Sequence, residues 1–220
     1  MSIGMILLVA VAVLALFGAL QRVLDRMRLT DRQALAIVAA IFVGGWIPDI
    51  AVTPTFSFNI GGAVIPLAVC VYLFVRAGSA KERFRSIAAS ILATGAVFAL
   101  GRLLPNEPEQ FFIDPMYIYG VVAGIIAYVM GRSRRAAFIA GVMGLLLADT
   151  AQAIVNAAGG LPFTLRLGSA GMFDAVVISG ILAVAFAELF GELRERFQGG
   201  PVRDSGFDED GLIHGEGEAK

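Results

Sequence analysis

The stretch GVMGLLLADTAQAIVNAAGG, residues 141–160, places a carboxylate near the middle of an apolar helix. This acid is Asp149, and a second acid, Asp174, opens the next apolar segment at the end of GSAGMFD, residues 168–174. A carboxylate in hydrocarbon is energetically unfavourable, so it normally faces a protein interior or a water-filled cavity and marks a functional site. The two acids therefore direct the search for function to this part of the chain.

The composition indicates a membrane protein. Of the 220 residues, 58% are hydrophobic and only 16% are charged, whereas soluble domains carry about 25% charged residues. The net charge of −1 gives no globally basic surface, so nucleic acid is not expected as a partner. Cys70 is the only cysteine, and the only histidine, His214, lies in a Gly- and acid-rich tail. We therefore predict no cofactor and no metal site.

Seven apolar segments predict an all-α, polytopic transmembrane helix bundle of about seven spans. They are 2–20, Gln33–Val52, 61–75, Ile87–Leu104, Pro115–Met130, Ala136–Ala158 and Ala170–Phe190. Basic residues follow the first segment rather than precede it, so we interpret it as a retained helix and not as a signal peptide. We expect a transmembrane domain over 1–197 and a disordered, acidic cytoplasmic tail over 198–220.

The basic residues are concentrated in alternate connections. Those rich in arginine and lysine lie after the first, third, fifth and seventh segments: Arg22, Arg26, Arg28, Arg32; Arg76, Lys81, Arg83, Arg85; Arg132, Arg134, Arg135; Arg194, Arg196. The other connections contain only Arg102 and Arg166. The positive-inside rule then predicts an outer N-terminus, an inner C-terminus and a multi-pass protein of the cell inner (plasma) membrane.

The helix that carries Asp149 has a polar face. Gln152 and Asn156 follow the acid at i+3 and i+7 and therefore share its face. Gly141 and Gly144 would let a neighbouring helix approach closely. We interpret the polar face as a proton or substrate site, with a structural hydrogen-bond cluster as the alternative.

The role of Asp174 depends on where the last helix begins. If the helix begins near Ala170, the acid lies in the first turn and complements the helix dipole. If it begins near Leu165, Asp174 lies as deep as Asp149, and the two carboxylates would share a proton. Both alternatives are compatible with the sequence.

Three further polar residues lie in the outer half of the predicted bundle. Asp114 precedes Pro115 and is expected to be a helix N-cap. Asp49 either lines the same cavity as Asp149 or faces outer water. Asn59 lies in TPTFSFNIGG, residues 53–62, for which an exposed loop is favoured over a hairpin or a re-entrant loop. Asp49 and Asn59 complete the expected substrate- or proton-binding set.

Four stretches, NIGGAVIPLAVCVYL (59–73), DPMYIYGVVAGIIAYVMGR (114–132), AAFIAGVMGLLLADTAQ (136–152) and GSAGMFDAVVISGILAV (168–184), carry a resemblance. The chain resembles a family of uncharacterised prokaryotic polytopic membrane proteins, a domain of unknown function. This resemblance implies several membrane spans and no particular activity.

A second resemblance concerns the order of the two acids. Asp149 followed by Gly171-Met-Phe-Asp174 is similar to the paired aspartates of presenilin- and signal-peptide-peptidase-type intramembrane proteases. The chain departs from that pattern, since Ala148 replaces its tyrosine and Phe173 its second glycine. The resemblance implies that Asp149 and Asp174 act as catalytic acid and base on a water molecule.

Three functions follow from these features. The first is a small transporter or proton-coupled permease, in which an outer polar cavity binds a small solute or a proton. The second is an aspartyl hydrolase that cleaves membrane peptides. The third is a membrane scaffold or assembly factor. All three have the lipid bilayer as a partner.

Overall fold

A computed structural model of the chain describes residues 29–103, 115–131 and 133–197. Within these ranges the fold is mostly helical. Its helices are α1 Asp31–Gly45, α2 Ile65–Val75, α3 Ala80–Leu103, α4 Pro115–Gly131, α5 Arg134–Ala158 and α6 Ala175–Phe197. The predicted span 2–20, Asp114 and the tail 198–220 lie outside the described residues, so the seven-span count, the expected N-cap and the tail stay predictions.

Helix α1 has defined signals at both ends. A capping box begins it, in which Gln33 N donates to Thr30 Oγ1 at 3.3 Å and Thr30 N donates to Gln33 Oε1 at 3.0 Å. The expected helix over Gln33–Val52 was too long, because α1 ends at Gly45. Pro48 explains this end, since proline lacks a backbone N–H and disfavours helical geometry in the preceding residue.

A small sheet replaces the end of that predicted helix. Strand β1, Ile50–Thr53, pairs antiparallel with β2, Phe56–Phe58, so residues 50–58 form a hairpin rather than an exposed loop. Strand β3, Leu165–Leu167, then pairs parallel with β2. The prediction of an all-α fold was therefore incomplete. A π-helix, Ile60–Val64, joins the hairpin to α2.

Helices α3, α4, α5 and α6 pack through small residues. The alanines of their contact surfaces are almost completely buried: Ala89, Ala93, Ala123, Ala127, Ala137, Ala140, Ala183 and Ala187. On α5, Gly141 packs against α6, where Ser179 Oγ donates to the Gly141 carbonyl oxygen at 3.0 Å. Large apolar side chains such as Phe84 and Val129 point outward instead. Small residues inside and large apolar residues outside are typical of helices packed in a membrane.

Among the described residues, two helices are long and apolar enough to cross a bilayer, α3 and α5. At about 1.5 Å per residue each measures roughly 36 Å, which exceeds a hydrocarbon core of about 30 Å. The other described helices contain shorter apolar stretches. The described part of the chain is thus mostly helical, with two candidate membrane spans.

Candidate functional site

Glycines bring three segments into backbone contact beside the sheet. Gly61, at the start of the π-helix, lies so close to α1 that an added Cβ would overlap Gly45 N and the Ile41 carbonyl oxygen. Gly168 follows β3 with φ of 70° and lies equally close to the backbone of Gly62. We call this contact of Gly45, Gly61, Gly62 and Gly168 the glycine junction. Side chains larger than hydrogen would separate the segments.

Asn59 holds the junction together. Its side chain is 3% exposed and begins the π-helix, where Oδ1 accepts from Gly61 N at 2.9 Å and from Gly62 N at 3.1 Å. Its Nδ2 donates to the Ile47 carbonyl oxygen at 2.9 Å and to Asp49 Oδ1 at 3.1 Å. An amide has two donors and two acceptor positions, so this one is fully satisfied. Asn59 therefore positions Asp49.

Asp174 is the N-cap of α6. The helix begins at Ala175, later than either start that the sequence suggested. Asp174 Oδ1 accepts from Val176 N at 3.0 Å, and Oδ2 accepts from Ala170 N at 3.3 Å. This is N-cap geometry, in which a carboxylate satisfies otherwise unpaired N–H groups.

The surroundings of Asp174 favour, on balance, the protonated form of its carboxyl group. Burial raises the pKa of this carboxyl, the hydrogen bonds from Val176 and Ala170 lower it, and the nearby charge of Asp49 raises it. The net effect is a raised pKa. Asp174 thus binds a proton more readily than an exposed aspartate does.

Asp149 lies at the level of Asp174. Gly141 of α5 contacts Gly180 of α6. From Gly141, α5 rises about 12 Å to Asp149, and from Gly180, α6 extends about 9 Å back to Asp174. The two carboxylates interact electrostatically, and Asp174 interacts in the same way with Asp49. Asp149, Asp174 and Asp49, which we call the acid cluster, thus come from three different elements.

Asp149 differs from the other members of the acid cluster. Its side chain is exposed, and no donor in the described ranges forms a hydrogen bond with it. Asp49 and Asp174, in contrast, are half-buried and accept hydrogen bonds. Asp149 is therefore the member of the acid cluster with the greatest exposed fraction.

The polar face of α5 forms as the sequence predicts. Gln152 Nε2 donates to Asn156 Oδ1 at 2.8 Å, and both side chains are half-buried. They continue the face of Asp149 toward the end of the helix. The face offers further amide donors and acceptors next to the acid cluster.

The chemistry that the acid cluster allows follows from its charges. Two nearby carboxylates repel one another, and protonation of one relieves the repulsion. Within 29–103, 115–131 and 133–197, no group of three or more His, Cys, Asp or Glu side chains is arranged to hold a metal ion.

Sequence reasoning left open whether Asp49 lines the same cavity as the other acids or faces outer water, and it did not pair Asp49 with Asp174. The proximity of these two acids depends on β3 and on the glycine junction, and neither has a strong local signature. The pairs Gly44-Gly45 and Gly61-Gly62 were the available signal, since adjacent glycines often mark close backbone contact.

The chain was compared with known proteins. No curated protein and no solved structure matches it. The resemblance to presenilin-type proteases is thus unsupported. The geometry also disfavours a catalytic role for Asp174, because both of its carboxylate oxygens accept backbone hydrogen bonds.

One family model does match. It is described as "Protein of unknown function (DUF1614)" and covers residues 21–186, which is most of the chain. This match includes α1 to α5, the sheet, the glycine junction and every member of the acid cluster. The chain therefore belongs to the DUF1614 family.

Proposed function

We propose that this protein is a multi-pass protein of the plasma membrane that works as a small proton-coupled permease. In this proposal the acid cluster takes up protons from the outer side. The polar face of α5 binds a small polar solute.

Two observations support insertion in the membrane. Alanine and glycine fill the helix contacts while large apolar side chains point outward, which suits lipid surroundings. The basic residues also concentrate in alternate connections, which supports the orientation with the acid cluster outside. At the opposite end, Arg134 and Arg135 begin α5, and both are in ion pairs.

Reporter fusions test the orientation. A reporter that is active only in the cytoplasm is expected to work after residues 78 and 132 and to fail after residue 160. A reporter that requires export should give the opposite pattern. The proposed orientation would be contradicted if each reporter gave the same result after residue 78 as after residue 160.

The electrostatic interaction of carboxylates from three parts of the chain supports the proposal. Asp149 projects from a helix long enough to span a membrane, is exposed, and interacts with Asp174. Asp174 interacts in turn with Asp49. Ionisable groups within membrane helices commonly mark proton relays or substrate pathways.

The chemistry is a cycle of protonation. When all three carboxylates are charged, their repulsion favours uptake of a proton by the accessible Asp149. Protonation removes a charge beside Gln152 and Asn156, which changes how strongly that polar face binds a solute. Proton uptake and solute binding would thereby be linked, and each would affect the affinity for the other.

Proton flux in reconstituted vesicles tests this proposal. Purified protein is placed in vesicles that contain a pH-sensitive dye, and an outside-acid pH gradient is imposed. The wild-type protein is expected to acidify the interior faster than empty vesicles do. Asp149→Asn keeps the shape of the side chain and removes its charge, so it should reduce the flux to near the background. Candidate solutes can then be screened by their effect on the flux.

Tyr128→Phe is the matched control. It also removes one polar function while keeping the shape, but at the other end of the helices, where the hydroxyl donates to the Phe190 carbonyl oxygen at 3.3 Å. This variant should retain the wild-type flux. Equal flux for wild-type protein and Asp149→Asn, with or without added solutes, would reject the proposal.

A further inference from the structure

The first turns of α3 carry three cations that form no ion pair with a described residue. In the described part of the chain the acidic partners at this end are Glu188, paired with Arg134, and Glu82, paired with Arg135. Lys81 is exposed and forms no ion pair with a described residue. The nearby Arg83 and Arg85 likewise form none. Three positive charges therefore collect at the start of α3.

Glu82 forms no ion pair with these three cations, because its carboxylate oxygens accept hydrogen bonds from other groups. Its Oε1 accepts from Ser133 Oγ at 2.8 Å, and its Oε2 accepts from Gly78 N at 2.9 Å. Arg135 Nη2 donates to Oε2 at 3.1 Å. These bonds hold the carboxylate toward α5, on the buried side of α3.

Arg83 is held in place at the same corner. Its Nη2 donates to the carbonyl oxygen of Val75, the last residue of α2, at 3.3 Å. The guanidinium thus joins the end of α2 to the start of α3. Its remaining N–H groups are available to a ligand.

The outward face of α3 continues as an apolar stripe. Phe84, Ile87 and Ile91 follow one another at helical spacing and are 72%, 47% and 62% exposed. They lie opposite the buried face formed by Ser86, Ala89, Ser90 and Ala93. At 100° per residue, Lys81 and Arg83 flank the inner end of this stripe on either side.

The length of the stripe matches one leaflet. From Lys81 to Ile91 the helix rises about 15 Å, which is half of a hydrocarbon core of about 30 Å. A pair of cations at one end of an apolar stripe of this length complements an anionic head group with its acyl chain. A soluble anion would use the cations and leave the apolar stripe without a ligand.

We propose that an anionic phospholipid of the inner leaflet binds at this corner. Its phosphate lies between Lys81 and Arg83, and an acyl chain lies along Phe84, Ile87 and Ile91. The inference depends on the membrane insertion and orientation proposed above, and it does not depend on proton transport. Juxtamembrane cations attract anionic lipids electrostatically.

Lipid-dependent stability and lipid retention test the site. Thermal unfolding of the purified protein is followed with added phosphatidylglycerol or phosphatidylcholine, and native mass spectrometry counts the lipids that remain bound. Phosphatidylglycerol should raise the unfolding temperature more than phosphatidylcholine does. Lys81→Gln with Arg83→Gln should abolish this difference and weaken lipid retention by roughly tenfold or more.

The matched control removes two exposed cations from the opposite end, by Arg102→Gln with Arg166→Gln. This control and the charge-conserving pair Lys81→Arg with Arg83→Lys should keep the response to phosphatidylglycerol. An undiminished response in Lys81→Gln with Arg83→Gln would overturn the proposal. An equal rise with inorganic phosphate alone would also overturn it, since it would show a free-anion site.

Circular dichroism and membrane fractionation separate the possible failures. If the Lys81→Gln, Arg83→Gln pair folds, enters membranes and conducts protons but still prefers phosphatidylglycerol, only the lipid site is rejected. If the wild-type protein does not enter membranes, the proposed function fails as well.

Discussion

Asn59 donates from Nδ2 to Asp49 Oδ1 at 3.1 Å and thereby links the glycine junction to the acid cluster. The same amide accepts from Gly61 N and Gly62 N, so it satisfies two N–H groups at the start of the π-helix. A buried residue with this many bonds fixes the positions of both α1 and the π-helix. Asp49 of the acid cluster is consequently attached to the closely packed backbone of the glycine junction.

Asn59→Ala is expected to destabilise the protein by about 2–4 kcal/mol, because it leaves two buried N–H groups and the Ile47 carbonyl oxygen without their partner. Thermal unfolding in detergent measures the loss. Asn156→Ala is the control, since it removes one half-buried hydrogen bond and should cost about 1 kcal/mol or less. Similar losses for the two variants would contradict the central role of Asn59.

Gly168→Ala is expected to disrupt the glycine junction. The residue has φ of 70°, and its new methyl group would overlap the backbone of Gly62 and Ala63. We expect a loss of more than about 2 kcal/mol, or misfolding that is visible by size-exclusion chromatography. Gly95→Ala, whose Cβ meets nothing within 4 Å, should instead be neutral or stabilise α3 by up to about 1 kcal/mol. Unchanged stability of Gly168→Ala would show that the three segments are not in close contact.

Asp174→Asn is expected to change how stability depends on pH. In the folded protein the pKa of Asp174 is raised, chiefly by burial, above the value of about 3.9 for an exposed aspartate. Ionisation therefore opposes folding, so the contribution of this group is most favourable at low pH. It declines as pH rises from the unfolded pKa through the raised folded pKa.

Asparagine is an equally good N-cap and does not ionise, so Asp174→Asn should keep α6 and gain stability relative to wild type as pH rises. Unfolding temperatures measured side by side from pH 4 to pH 8 give this difference. A difference that falls with rising pH would indicate that the hydrogen bonds to the cap outweigh its burial.

Glu188→Gln is expected to lower the free energy of unfolding by breaking an ion pair between α5 and α6. Arg134 Nε lies 2.6 Å from Glu188 Oε2, and the side chains are only 10% and 21% exposed. Removing one partner of a largely buried pair leaves the other charge without compensation, and we expect a loss of about 2–4 kcal/mol. The double variant Arg134→Gln with Glu188→Gln should lose less than the sum of the two single variants. Additive losses would show that the pair is not coupled.

Helical features were predicted well because they depend on neighbours along the chain. The predicted helix Ala136–Ala158 corresponds to Arg134–Ala158 in the structure. Gln152 and Asn156 share the predicted face and form a hydrogen bond. The small residues Gly141 and Gly144 do provide close helix contacts, against α6 and Ala93 respectively.

The predictions that failed concern ends of helices and long-range pairing. The sequence predicts helix for the segment after Gly45 because it is apolar, and it favours an exposed loop for the residues of β2. Both belong to a sheet that includes Leu165–Leu167, which lies beyond four further α-helices, α2 to α5. Strand pairing of this kind is decided by partners distant in sequence, so a local pattern does not reveal it.

Local sequence pattern is sufficient to predict an apolar, mostly helical chain, the polar face that contains Asp149, and the glycines that permit close packing. Those properties follow from composition and helical period. The start of α6 at Ala175, the role of Asp174 as its cap and the proximity of Asp49 to that cap are visible only in the folded chain. The physical reason is that these positions depend on a parallel strand pair and on backbone contact at the glycine junction.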